Sequence, residues 1–227
     1  MDTNHLAARE AISHWSGLPA YARRRAVRLF WAILFINAVL QFFTLRLYGR
    51  EALAGTDNLV ALWDLALAVT VGTSLIFIAG RSESRAFGTI GVLYIIIGIE
   101  DQIALHGKLG AAIADLLRFD QWIPGIGEYG AVNIGEFVAM GTFGVVAFLL
   151  IWHGQRPADA TLRKARMVFT ILLVGLFFFA VVIDLVTAAE QNLTILLIEE
   201  LGERSVLSLS AIYALSLMTI TSWVPDR

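Results

Sequence analysis

Six stretches of about twenty residues, each nearly free of charge and bounded by basic or turn-forming residues, leave this chain few folds to choose from. A helix needs roughly 20 apolar residues to cross the ~30 Å hydrocarbon layer of a bilayer, and a single segment can satisfy all its backbone polar groups there only as a helix. The windows lie near residues 28–47, 59–79, 86–106, 131–152, 166–189 and 205–224. They predict an all-α, polytopic transmembrane helical bundle of six spans over residues 28–224, preceded by a basic, amphipathic cytoplasmic segment over residues 1–27. The overall balance agrees: 58% of residues are hydrophobic, 16% are charged and mean hydropathy is +0.72, outside the range of a soluble domain.

The residues ahead of the first window include His5, Arg9, Glu10 and His14, too polar for the core of a secretory signal, so the first span is expected to be retained. The chain has no cysteine, which excludes disulfides, thiolate metal sites and a cysteine nucleophile.

The stretch YARRRAVR, residues 21–28, stands directly before the first window, and Lys/Arg beside early spans holds that end in the cytoplasm. Six spans then return the C-terminus to the same side, the expectation being a multi-pass protein of the cell inner membrane. On this topology 12 of the 17 Lys/Arg lie on the inner side and 14 of the 19 acids lie outside or in the outer half. The basic inner layer follows from the topology rule and suits anionic lipid headgroups. The acidic outer layer does not follow from that rule, because Asp and Glu contribute little to orientation.

Several of these acids fall inside spans. Counting about 1.5 Å per residue, Glu100 lies roughly 20 Å along the third span, with Asp101 beside it. Asp64, Glu136 and Asp184 each fall about a turn and a half from the outer ends of the second, fourth and fifth spans, and Glu199, Glu200, Glu203 and Arg204 are expected at the outer mouth of the sixth. An unpaired charge at such depth costs on the order of 3 kcal/mol, so these side chains should face the bundle interior, water or partners. The first span offers a matching polar face through Asn37, Gln41 and Thr44. In the loop that follows the third span, Leu109, Ala112, Ile113, Leu116 and Leu117 repeat with helical period, predicting an exoplasmic loop helix near residues 109–117.

Carboxylates converging from several helices with an imidazole can bind a cation: oxygen ligands suit calcium, magnesium and manganese, and histidine admits zinc or iron. The candidate ligand set is Glu100, Asp101, His106, Glu136, Asp184, Glu199, Glu200 and Glu203, for a divalent metal ion of unassigned identity. On one straight helix His106 lies about 140° from Asp101, so the two do not share a face, and any site must borrow from other helices or the third helix must bend near His106. Crowded carboxylates cannot all ionise cheaply, so such a cluster should titrate as a coupled set and make binding pH-dependent.

The primary expectation is therefore an acidic, exoplasmic-side cavity that binds or conducts a cation or protons. A metal-dependent enzyme acting on a lipid or small molecule at the outer leaflet is one alternative, and a non-catalytic assembly subunit is another. Membrane lipids are the expected surroundings. Gly127, Ala131, Gly135 and Ala139 form a small-residue ridge on the fourth span, a candidate surface for homo-oligomers.

Two short resemblances bear on these alternatives. Glu199-Glu200-Leu201-Gly202-Glu203-Arg204 is similar to the Glu-Glu-x-x-x-Arg signature of CAAX-type intramembrane proteases. That family also needs histidines on later helices, and His5, His14, His106 and His153 all precede the motif, so the resemblance ends at six residues. Residues 100–106, acid-acid-x4-His, are similar to a pattern of uncharacterised bacterial polytopic proteins in which a Glu follows the His, where this chain has Gly107. No lysine lies within a span to form a retinal Schiff base, and there is no Gly-rich phosphate loop, no Gly-x-Ser-x-Gly elbow and no basic-aromatic surface for nucleic acid.

Overall fold

The computed structural model describes residues 20–48, 59–82, 84–123, 127–154, 160–183 and 193–221. Every element among the described residues is helical: α1 (Ala20–Tyr48), α2 (Leu59–Ser82), α3 (Arg85–Ile103), α4 (Leu105–Leu117), the single turn α5 (Phe119–Trp122), α6 (Gly127–His153), α7 (Ala160–Phe177), a π-helical continuation (Phe178–Ile183) and α8 (Leu193–Thr221). Five helical stretches are long and apolar enough to cross a membrane: Arg24–Leu47, Leu59–Ser82, Arg85–Ile103, Gly130–His153 and Ala160–Ile183. The chain is a helical membrane protein. α8 is 29 residues long but carries Glu199, Glu200, Glu203 and Arg204 in its first half.

Several helix ends differ from the hydropathy windows, and two of these differences bear on the acids. α3 stops at Ile103, short of residue 106, and α8 begins at Leu193, well ahead of residue 205. The second difference moves the Glu199–Arg204 group from a helix mouth into the helix itself, roughly 9–17 Å from its start. The loop helix expected near 109–117 is α4, extended back to Leu105. Most of the N-terminal segment, residues 1–19, and Asp184 lie outside the described residues.

α2 and α3 lie side by side and run antiparallel. Their backbones close in because glycines meet there: a Cβ on Gly91 would fall 2.6 Å from the Gly72 carbonyl oxygen, and one on Gly98 would fall 2.6 Å from the Ala68 Cβ. Gly88, a candidate for the same role, has only ordinary contact with Ala79 at 3.6 Å. At the Ser84 end of the bundle Leu75, Ile78, Phe87, Ile90 and Phe169 are completely buried, with Ala211 and Ala214 of α8 against them. The Phe87 and Phe169 rings stand edge to face with centroids 6.4 Å apart.

α1 turns its polar face inward. Asn37 and Thr44 are buried, while Trp31, Phe35, Phe42 and Leu47 on the other faces are 62–69% exposed and belong to the lipid side. Asn37 receives the Trp63 indole N–H at 2.6 Å and donates its amide to the Ser208 hydroxyl at 2.8 Å, tying α1 to α2 and α8. On α6, two of the four small ridge residues, Ala131 and Gly135, are buried within the chain itself, with Gly135 against the backbone of Gly110 in α4. That stretch of the ridge is used inside the molecule.

Candidate functional site

The intramembrane acids of α3 are followed by a sharp break. Ala104 adopts the left-handed conformation (φ 46°, ψ 48°), its N–H turned back to the carbonyls of Glu100 and Asp101. The Lys108 ammonium donates to the Ile103 carbonyl at 3.1 Å, satisfying an acceptor that the helix end leaves open. The reversal brings His106 back over Glu100. One carboxylate oxygen, Oε1, accepts the His106 backbone N–H at 2.8 Å and lies 2.7 Å from its Nδ1. The chain thus bends just ahead of His106, one of the two arrangements open to the 100–106 stretch, and the bend pairs His106 with Glu100 and not with Asp101.

An alanine in the left-handed region is strained by roughly 1–2 kcal/mol, which glycine avoids at some cost in chain entropy. Ala104→Gly is expected to raise stability by about 0.5–1 kcal/mol, read as a higher melting temperature in detergent. An unchanged or lower melting temperature would mean that the turn carries no such strain.

A second group forms across the bundle. Arg204 of α8 is 94% buried in its side chain; its Nε donates to Asp64 Oδ2 of α2 at 3.0 Å and its Nη2 donates to Glu200 Oε2, one turn earlier on its own helix. The guanidinium fork suits this double role, since its donors point in fixed and different directions. Arg204 Nη1 and Asp64 Oδ1 are both buried and find no hydrogen-bond partner among the described residues.

Both groups open onto one cavity of about 270 Å³. Its walls carry the carboxylates of Asp64, Glu100, Asp101, Glu199, Glu200 and Glu203, together with Arg204 and His106. Six of the eight candidate ligands thus meet in one hollow, and Asp64 and Arg204, absent from that set, complete it. Glu136 does not join them: its carboxylate lies beside the first turn of α4, where a Cβ on Gly107 would be 3.3 Å from Oε1. An acid near a helix N-terminus is well placed against the helix dipole. Asp184 lies outside the described residues. The apolar part of the wall includes Ala180, which the π-helical segment presents to the cavity. π-Helical turns are uncommon and gather at functional sites.

No known family model, curated protein or solved structure matches this chain. Among the described residues no three of His, Asp and Glu are arranged to hold a metal ion. Instead the acids are distributed around a volume, two of them committed to Arg204 and one to His106. Six carboxylates against one guanidinium and one imidazole leave a surplus of negative charge at membrane depth, and such a surplus is neutralised by protons or by a positively charged guest.

Proposed function

We propose that the chain crosses the membrane six times with both termini in the cytoplasm, and that its acidic cavity receives a cation, protons included, from the exoplasmic side. The bias of Lys/Arg toward the Arg81/Arg85 and Arg163/Lys164 connections supports that orientation. Bacterial inner membrane remains the proposed location on the same grounds. α8 serves as the sixth span, its apolar half beginning just after Arg204.

The observation that carries the reading is the excess of carboxylates over basic groups around one hollow. Binding is favoured over conduction because the Ser84 end is closed by fully buried apolar side chains, Leu75, Ile78, Phe87, Ile90 and Phe169, with no acid among them. A proton or a singly charged ammonium ion suits carboxylates spread round a volume better than a divalent metal, which needs them gathered to a point.

The test is calorimetric titration of the detergent-purified protein with methylammonium at several pH values. Methylammonium and protons neutralise the same carboxylates, so apparent affinity should fall as pH is lowered. Asp101→Asn combined with Glu203→Gln should weaken binding by about tenfold or more, the equivalent of ~1.4 kcal/mol. Equal affinity in that double variant, or no heat of binding in the native protein, would overturn the proposal.

A further inference from the structure

α4 and α6 form one body. Gly110 and Gly135 bring the two backbones into direct contact, and a Cβ on Gly110 would fall 2.8 Å from the Glu136 amide nitrogen. Backbone packed this closely moves as a unit. Toward the rest of the bundle the fit is looser. The seam holds two hollows of about 270 Å³ each, the acidic cavity and an apolar groove between α6 and α7, and Ile97, Met140, Leu176 and Ala180 border both. α6 is tied down at its His153 end, where Ile151 is buried, the Gly154 carbonyl accepts from Arg166 at 3.4 Å, and a Cβ on Gly154 would fall 3.5 Å from the Ala86 Cα.

At the opposite end the tie is His106, and it exists in one backbone state alone. With Ala104 left-handed, His106 comes back over Glu100 and meets Oε1 through its backbone N–H at 2.8 Å and its Nδ1 at 2.7 Å. Were Ala104 right-handed, α3 and α4 would join into one straight helix. His106 would then lie about 9 Å along the axis from Glu100 and about 120° round it, out of reach. The left-handed state costs an alanine roughly 1–2 kcal/mol, so the two bonds hold a joint that relaxes when they break. One arrangement is latched and strained, the other unlatched and relaxed, and a single residue absorbs the change between them.

We propose that α4 and α6 swing together about the His153 end of α6, with Ala104 as the joint to α3, and that this motion is the lateral gate of the acidic cavity. His106 on Glu100 is the latch. His106 and Met140 are the wall residues that the moving pair carries away, so the cavity opens along the outer part of the seam. Unlatching also releases Glu100 Oε1 to a guest. The inference rests on the cation-binding reading for what passes the gate and goes beyond it in how the cavity is reached.

The chain has no cysteine, so spin labels go only where they are placed. One pair, Leu59→Cys with Leu116→Cys, spans the seam; a second, Leu116→Cys with Val145→Cys, lies within the α4–α6 body. The three positions are 60–79% exposed. Distances are read by pulsed electron paramagnetic resonance on the full chain in phosphatidylcholine nanodiscs. Glu100→Ala removes both bonds of the latch and should give the seam pair a second distance component, displaced by about 5 Å or more, while the pair within the body stays within about 2 Å of its native distance. His106→Ala removes the ring bond and keeps the backbone one, so it should show the same component at a lower population. It decides alone where Glu100→Ala does not fold.

A seam distance unchanged in these variants would overturn the gate. Equal displacement of both pairs would show α4 leaving α6, and would overturn the single moving body and the gate with it. No cation takes part in these measurements, so either result leaves methylammonium binding to stand or fall on its own titration.

Discussion

Arg204→Ala is expected to cost about 3–5 kcal/mol of stability, the largest loss from any single side chain in the cavity. The substitution leaves Asp64 and Glu200, whose side chains are only 17% and 15% exposed, without the guanidinium that now binds both. Breaking a buried ion pair from one side is far more damaging than removing it whole, because an uncompensated charge remains. For a protein of this size the loss corresponds to a melting temperature lower by on the order of 10 °C.

The loss should depend on pH in a definite direction. A protonated carboxyl needs no counter-charge, so the variant should be closer to the native protein at about pH 5 than at roughly pH 8. The triple variant Asp64→Asn, Glu200→Gln, Arg204→Met removes the whole charged group and should recover most of the stability at both pH values. A single Arg204→Ala variant that melts within a degree or two of the native protein would mean that the arginine is hydrated in the membrane and that the three side chains do not form a buried network.

How much of this was open to a reader of the sequence depends on the range of the forces involved. The spans were legible because bilayer thickness sets helix length, and five of the six windows correspond to helices long and apolar enough to cross a membrane. The inward face of α1 was legible because Asn37 and Thr44 are seven residues apart on one helical side, and both are buried. The acids of α3 and α8 could be placed at similar depth by counting residues, and they do line one cavity.

The remainder turns on single backbone angles and distant partners. Nothing in the pattern Gln102-Ile103-Ala104-Leu105 marks a helix end, since the nearest glycine is Gly107; the break at Ala104 accompanies the seating of α4 on α6 through Gly110 and Gly135, a contact between distant residues. α8 starts earlier than its hydropathy window because its charged turns are sheltered by α2 and α3, and a scale calibrated on lipid exposure penalises charges that face inward. Glu200 and Arg204 are four apart, a spacing that announces their pairing, whereas Asp64 could be placed at the right depth but its pairing with Arg204, 140 positions away, has no local signal. The small-residue ridge of α6 could be read as a packing surface, though not whether α4 or a second copy would occupy it.

That α4–α6 contact carries the other large expected effect. A Cβ on Gly135 would fall 2.8 Å from the Gly110 carbonyl carbon and 3.1 Å from its Cα, and from the opposite side a Cβ on Gly110 would fall 2.8 Å from the Glu136 amide nitrogen. Backbone meets backbone in both directions, so no side chain can swing aside to make room. Gly135→Leu should therefore lift α4 off α6 at a cost of about 3 kcal/mol. Because His106 sits on the first turn of α4, its two contacts with Glu100 should loosen together with the helix. Hydrogen exchange resolves the outcome by segment: amides of residues 105–117 should lose protection while those of α2 and α3 keep theirs. Gly141→Leu on the same helix, where a Cβ meets nothing within 4 Å, should stay within about 0.5 kcal/mol of the native protein. Equal behaviour of the two leucine variants would show that α4 is not seated on α6 through these glycines, and that the His106 side of the cavity lacks a fixed wall.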